Sequence, residues 1–480
     1  MPIACASGLS TLMGLTLVAG LARADEPAAN AGSIADRYRP QAKRIIDAVL
    51  AGNDAYEKLE QLCDGIGHRL SGSKSLERAI EWAVATLEKE GQENVRAEPV
   101  MVPKWVRGNE SATLIKPYRR DLPMLGLGGS VGTPPQGITA PVVSVFDEKE
   151  LEKLGDAVRG KIVLFDHPMA TYDPERGSGY GGAVRFRSNG ARWAAQHGAV
   201  AALVRSVTAR SLQSPHTGAM RYRDAKVKIP AAAITTEHAA MITRLQKRGV
   251  EVVVTLKMEA RDEGMAPSAN VVAELRGREE PDEIVVISGH FDSWDVGQGA
   301  HDDGGSCVVA MEVLNVLRKL ELVPRRTIRV VLWTNEENGL RGARQYVEDH
   351  KDELSKHVAA IEMDSGVFAP RGYSVQINDE KKQELAGKQL ADILTLLEPL
   401  GATRARTGHS GADVGQMVSA GVPCLGHQVE GSLYFDYHHS HADTIDKIDP
   451  KELDRNVAAM AVTAYVLADM PGKLGESTEQ

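Results

Sequence analysis

Residues 284–303 read IVVISGHFDSWDVGQGAHDD, and the order of residue types in this stretch decides the architecture. Ile284, Val285, Val286 and Ile287 form a continuous, mostly β-branched apolar run, the pattern of a strand buried on both faces of a parallel sheet. His290 and Asp292 follow directly, at what that reading makes the carboxyl end of the strand. Asp302 and Asp303 then precede residues 304–320, where Val308, Met311, Val313, Leu314 and Leu317 recur at helical spacing. A strand that ends on an imidazole and an acid, followed by a helix that starts on paired acids, predicts an α/β fold. Ligands in such folds bind outside the carboxyl ends of the strands.

Two further runs lead to the same rim. TIRVVLWT, residues 327–334, runs into Glu336 and Glu337, and VAAIEMD, residues 358–364, ends on Asp364. A loop rich in aromatics and histidines, residues 434–441, brings His438, His439 and His441, with Asp443 just beyond. Two zinc ions about 3.5–4 Å apart need nitrogen and oxygen donors on each ion and a carboxylate between them. These residues supply that set: His290 and Asp364 for one ion, Glu337 and a histidine of the 438–441 cluster for the other, and Asp302 as the bridge. Adjacent residues at a strand end point in opposite directions, so Glu336 and Glu337 divide into one general base and one ligand. Each piece alone has a plainer reading. The aspartate pair could cap a helix, the glutamate pair could sit at a helix start, and His290 could be a hydrogen-bonded core residue. The joint order of imidazole, acid, paired acids, acid and imidazole, with strands before three of them, favours the metal centre.

The motifs extend beyond the acids. GIGHRLSGSKSLERAI from Gly65, LGLGGSVGTPPQGITA from Leu125, SPHTGAM from Ser214, SGHFDSWDVGQGAHDDGG from Ser288, RTIRVVLWTNEENG from Arg326 and HHSHADT from His438 together resemble the zinc peptidase family of secreted bacterial aminopeptidases, glutamate carboxypeptidase and carboxypeptidase Q, the last branch most closely. That resemblance implies a mixed, largely parallel sheet flanked by helices, with a smaller protease-associated domain inserted. It places the metal ligands on His290, Asp302, Glu337, Asp364 and His439 and the general base on Glu336. The choice of His439 over its neighbours rests on the family's four-residue step to Asp443. The resemblance also implies that Asp292 orients His290 through its other ring nitrogen. Many of the aminopeptidases have a tyrosine where this chain has His438, which here is either an oxyanion donor or a structural histidine. Implied with these are two zinc ions per chain, short peptide substrates with free termini and a homodimer. Dipeptidase or carboxypeptidase action, aminopeptidase action on the same ligands, a single-zinc glutaminyl cyclase and a non-enzymatic scaffold are the competing outcomes.

The 480 residues suffice for several domains, and a net charge of -9 with no Lys/Arg-rich run argues against nucleic acid. Residues 9–21 are apolar over the length of a signal core and are followed by Ala22-Arg23-Ala24, which reads as an export signal over residues 1–24 and a periplasmic or secreted protein. No other stretch approaches the length of a membrane span. Cys5 leaves with the leader, and Cys63, Cys307 and Cys424 allow at most one disulfide. Short strands and helices without paired acids fill residues 130–261, which marks the insert. Residues 25–129 and 262–480 then form the catalytic unit, with 262–268 a returning loop. Residues 126–132, GLGGSVG, lack the lysine of a phosphate loop and read as a domain junction. Residues 214–218 read as a lid or a surface loop, and residues 410–413 as a pocket lining.

Overall fold

The buried run that opens at Ile284 is the strand Glu280–His290, at the inside of an eight-stranded sheet. In order across the sheet the strands are Glu93–Val106, Arg261–Leu275, Arg326–Trp333, Glu280–His290, His357–Glu362, Cys424–Val429, Pro370–Gln376 and Arg404–Thr407. The middle four pair in parallel, and antiparallel strands flank them. The sheet is mixed and parallel where it matters for the site. The structure is a computed structural model and describes residues 33–210 and 212–477, so the leader read at residues 1–24 lies outside the described residues.

Alternation along the strands divides the core into two faces. Val285 and Ile287 pack with the helix Gly305–Lys319 and the closing helix Pro450–Asp469, whereas Ile284 and Val286 pack with Tyr346 and Met417 on the other side. Gly305–Lys319 is buried from Gly305 through Leu317, because it lies between the sheet and the outer helices Ile34–Ala51 and Ala55–Cys63. Each of its buried Val, Leu and Met side chains contributes about 1.5–3 kcal/mol of apolar burial. That anchorage fixes the residues that precede it, Asp302 and Asp303.

The strand Glu280–His290 is followed in sequence by Arg326–Trp333 on one side and, after a further helix, by His357–Glu362 on the other. The order of connections therefore reverses at His290, and such a switch point opens a crevice at the carboxyl ends of the strands.

A second eight-stranded sheet is built from the insert. Ile138–Val145, Ile162–Phe165, Ala201–Arg205 and Ala231–Ile234 run parallel, with the helices Tyr180–Gln196 and Thr236–Lys247 beside them. This sheet reaches back to Glu110–Lys116, which pairs with Val253–Met258, so it starts ahead of the boundary drawn at residue 130. The earlier strands carry no composition change, and only the pairing across the insert reveals where they belong. Residues 262–268 also differ from the loop expected. They open the strand Arg261–Leu275, which forms a long antiparallel ribbon with Glu93–Val106. Their polar residues, with Gly264 and Pro267, suit a ribbon that is solvated along this half and so lacks an apolar pattern.

The GLGGSVG run is the junction. Gly128 lies against Trp294 of the catalytic unit, where a Cβ would come within 1.9 Å of the indole, so only glycine lets the ring close the seam. The Gly128 N–H donates to the Gly218 carbonyl at 3.0 Å, which ties the same seam to residues 214–218.

Candidate metal centre

Each acid or imidazole reaches the crevice by a different local device. His290 ends its strand. Asp302 sits on a non-helical kink (φ -126°, ψ 79°) just before Gly305–Lys319, and both oxygens of the Asp443 carboxylate hold that kink by accepting the N–H groups of His301 (2.7 Å) and Asp302 (3.1 Å). Glu336 and Glu337 follow Arg326–Trp333 after a turn at Asn335 in the left-handed region. Asp364 follows His357–Glu362. His439, also left-handed at φ 61°, comes after the short helix Tyr434–Tyr437.

The side chains converge in two groups that share Asp302. Asp302 Oδ1 lies 3.2 Å from His290 Nε2, and Asp364 Oδ1 lies 3.6 Å from the same nitrogen. Asp302 Oδ2 lies 3.2 Å from His439 Nε2, and Glu337 Oε2 lies 2.9 Å from that nitrogen. Both rings are oriented from behind. His290 Nδ1–H donates to the Asp292 carbonyl at 2.9 Å, and His439 Nδ1 faces the Thr217 carbonyl at 3.3 Å. With a proton on each Nδ1, each Nε2 faces carboxylates, an arrangement that a bound cation between them would satisfy. Asp302 Oδ2 and Glu337 Oε1 are buried without a hydrogen-bond donor, which the same cations would satisfy. The donor set therefore fits two metal ions.

The electrostatics agree. Burial disfavours a charged His290, yet the facing Asp302 and Asp364 hold its pKa well above the usual imidazole range. Burial, reinforced by the carboxylates of Asp364, Glu337 and Asp292, pushes Glu336 well above the usual carboxylate range. Glu337 is pushed up to about 7, by burial and then by Asp302. The cluster holds more buried carboxylate than its imidazoles can balance.

Asp292 does not act on His290 as the resemblance implied. The ring contact runs through its backbone carbonyl, and the nearer carboxylate oxygen stands 4.0 Å away from Nδ1. The carboxylate instead accepts the Glu336 N–H at 2.9 Å and the Ser71 hydroxyl at 3.0 Å. Arg69, from the same RLSGS turn as Ser71, donates to the carbonyls of Phe291, Gln298 and Gly299 and so fixes that turn. His438 stacks on His439 with ring centroids 3.5 Å apart, and its Nε2 is 3.9 Å from Asp302 Oδ2. His441 is exposed and makes no contact with the cluster.

Residues 214–218 are neither a lid over open space nor a surface loop. His216 and Thr217 are buried, and they bind the metal-site loop directly: His216 Nδ1–H donates to the His438 carbonyl (2.7 Å) and Thr217 N–H to the His439 carbonyl (2.9 Å). Of residues 410–413, Ser410, Gly411 and Ala412 line the cavity, whereas Asp413 is fully buried and does not. Glu362 joins the site without a sequence signal; its carboxylate accepts the N–H groups of Ala412 and Val414 and so holds that wall. Tyr180 and Arg187 also line the cavity, from the insert's own helix, and nothing in the sequence pattern marks them. The three remaining cysteines are buried and free, so among the described residues there is no disulfide. Cys307 packs with its thiol on the His290 carbonyl.

Comparison with known proteins gives a consistent result. The profile of peptidase family M28 matches residues 270–464, and that of the PA domain matches residues 136–242, inside the second sheet. Carboxypeptidase Q of Mus musculus is 43% identical over 443 residues, covering 92% of this chain and 92% of its own. A crystal structure of a peptidase M28 precursor from Shewanella amazonensis superposes with a TM-score of 0.86 at 36% identity, over 92% of this chain and 98% of that one. The fold alone is shared with a zinc aminopeptidase from Bacillus subtilis, at a TM-score of 0.63, 22% identity and coverage of 89% and 97%. A peptidase M28 profile on the sheet that carries the acids, a PA domain on the insert, and a carboxypeptidase Q relative matched nearly end to end lead to one conclusion: this chain is a metallopeptidase of family M28.

Proposed function

We propose that the chain is a two-zinc exopeptidase that cleaves short peptides, in the manner the name of its carboxypeptidase Q relatives indicates. The observation that carries the reading is the division of Asp302: one oxygen faces His290 Nε2 and the other faces His439 Nε2, each at 3.2 Å. A carboxylate shared in this way suits two cations and is wasted on one, which disfavours a single-zinc cyclase. His290 and Asp364 would hold one ion, Glu337 and His439 the other, and Asp302 both. Imidazole nitrogens and carboxylate oxygens are donors that zinc accepts.

Bound zinc supplies Lewis acidity, which polarises a peptide carbonyl and acidifies a water. The chain supplies the rest. Glu336 is partly exposed on the cavity wall, unlike the buried Glu337 beside it, so it is free to act as the base. It takes a proton from the attacking water as the oxygen–carbon bond forms, then returns it to the amine nitrogen as the carbon–nitrogen bond breaks. Asp292 fixes the Glu336 backbone for that transfer. His438 lines the same cavity and is the candidate donor to the oxyanion. The leader-like residues 1–24 support export to the periplasm or medium, and among the described residues no helix is long and apolar enough to cross a membrane.

The test is metal content together with hydrolysis of dipeptides blocked at one end or the other. Two zinc ions per chain with turnover are expected; one zinc without turnover would overturn the proposal.

A further inference from the structure

The two candidate ion positions are braced unequally. Behind His290 the support is local: its Nδ1–H donates to the Asp292 carbonyl at 2.9 Å, and the Asp302 kink is held by Asp443 of the same unit. His439 is braced from the other unit. Among the described residues, its carbonyl accepts the Thr217 N–H at 2.9 Å, and its Nδ1 faces the Thr217 carbonyl at 3.3 Å and Arg187 Nη1 at 3.2 Å, all from the insert. The preceding carbonyl, of His438, accepts His216 Nδ1–H at 2.7 Å. His439 sits at φ 61°, a conformation that a non-glycine residue keeps only where its surroundings over-determine it.

His216 is placed for that one contact. It is buried, and its Nε2 has no hydrogen-bond partner among the described residues, so the bond to the His438 carbonyl is the one its ring makes. An unpaired nitrogen of a buried imidazole is costly, and an apolar side chain would avoid that cost if filling space were the only requirement. A carbonyl only accepts, so the ring proton is on Nδ1 and the tautomer is fixed. His216 is in turn anchored to the insert's own sheet. Its N–H donates to Ser206 Oγ at 2.9 Å, and that hydroxyl donates at 2.8 Å to the carbonyl of Ile234, the last residue of the strand Ala231–Ile234. A continuous path of hydrogen bonds therefore runs from a strand inside the insert's sheet to the loop that carries His439.

We propose that His216 is a positioning residue through which the inserted domain sets zinc affinity at the Glu337–His439 position, while the His290–Asp364 position depends on the catalytic sheet alone. This rests on the two-zinc reading and adds a dependence to it: one ion is held in full only while the insert is docked on the loop at His438 and His439. Groups that orient a metal ligand from behind are worth about 10- to 100-fold in metal affinity.

The test reads zinc rather than turnover. Metal-free protein of the full chain is titrated calorimetrically with zinc against a competing chelator, with and without His216→Leu. The substitution is expected to weaken one of the two ions by about 10- to 100-fold and to leave the other unchanged. In Glu337→Gln protein, which retains the His290–Asp364 position, adding His216→Leu is expected to change nothing. His216→Asn brings an amide N–H near the place of Nδ1–H and is expected to recover most of the lost affinity, which a role in packing alone would not allow. Equal zinc binding with and without His216→Leu overturns the proposal, and so does a parallel loss of both ions or a His216→Asn protein as weak as His216→Leu. Should His216→Leu not fold, Ser206→Ala removes only the anchor of His216 and is expected to weaken the same ion by about 3- to 10-fold; unchanged binding there also counts against it. A single zinc ion in the unsubstituted protein is the distinct outcome that would overturn the two-zinc reading itself, and the proposal with it.

Discussion

Replacing Asp292 by alanine distinguishes two roles that a sequence motif cannot separate. If its carboxylate oriented His290, the loss would fall on metal binding. In the structure the His290 ring is held by the Asp292 backbone carbonyl, which alanine retains, and the carboxylate holds the Glu336 N–H at 2.9 Å. What Asp292→Ala removes is one charge-assisted hydrogen bond to the backbone of the general base and one to Ser71, each worth about 1.5–3 kcal/mol. That energy positions Glu336, and a displacement of about 1 Å at a reacting group costs up to about 100-fold in rate. We therefore expect kcat to fall by about 30- to 100-fold with zinc content and KM little changed. Asp292→Asn keeps an oxygen for the Glu336 N–H and should recover all but about 10-fold. Steady-state kinetics on protein whose zinc has been measured by atomic emission provides the check. Loss of zinc in Asp292→Ala, with normal turnover per remaining zinc, would refute the reasoning and restore the role the resemblance implied.

Glu336→Gln should lower kcat by about 100- to 10,000-fold while both zinc ions stay bound, as judged by metal analysis and dipeptide hydrolysis. Lys58→Met strands two carboxylates that Lys58 pairs with, the fully buried Glu312 and the less buried Glu90, and should cost about 3–5 kcal/mol in urea unfolding, with the Glu312 share recovered in Lys58→Met/Glu312→Leu. His350 is held above the ordinary imidazole pKa, since Glu98 outweighs burial, and Glu98 is held below the carboxylate range by the same pair. The His350 contribution is full below pH of about 6.5 and fades as pH rises through its raised pKa, and that of Glu98 is full above about 4.5 and fades on acidification. His350→Gln should thus cost about 1 kcal/mol near pH 6 and almost nothing near pH 9.5, measured by urea unfolding at each pH; a cost that does not depend on pH would rule out the charged pair.

The catalytic sheet was legible because its evidence is local. A continuous β-branched run such as Ile284 to Ile287 states its own burial, and His290, Asp302, Glu336, Glu337 and Asp364 lie where strands end or a helix begins. The structure gathers those residues, with His439, around one crevice. What was not legible depends on partners far away in sequence. Glu110–Lys116 reads as catalytic until its pairing with Val253–Met258 is seen. Residues 262–268 look like a loop because a ribbon solvated along this half needs no apolar stripe. The carboxylate of Asp292 could be read toward His290 from spacing alone, yet in the structure it holds the Glu336 N–H instead. Arg187 meets His439 across a separation of 252 residues, and an arginine on an amphipathic helix carries no mark of its destination.

The same long-range contacts change how the insert is understood. His439 adopts the left-handed region at φ 61°, which costs a non-glycine residue about 1–3 kcal/mol unless its surroundings enforce it. The enforcing bonds come from the insert: Thr217 N–H holds the His439 carbonyl and His216 holds that of His438. The ring of His439 is backed by the Thr217 carbonyl, and the cation beside it is Arg187. A domain that served only to cover the cleft could leave without disturbing the centre it covers. This one supplies the backing for a candidate zinc ligand, so the site is assembled from both units, and the catalytic sheet alone provides only part of it.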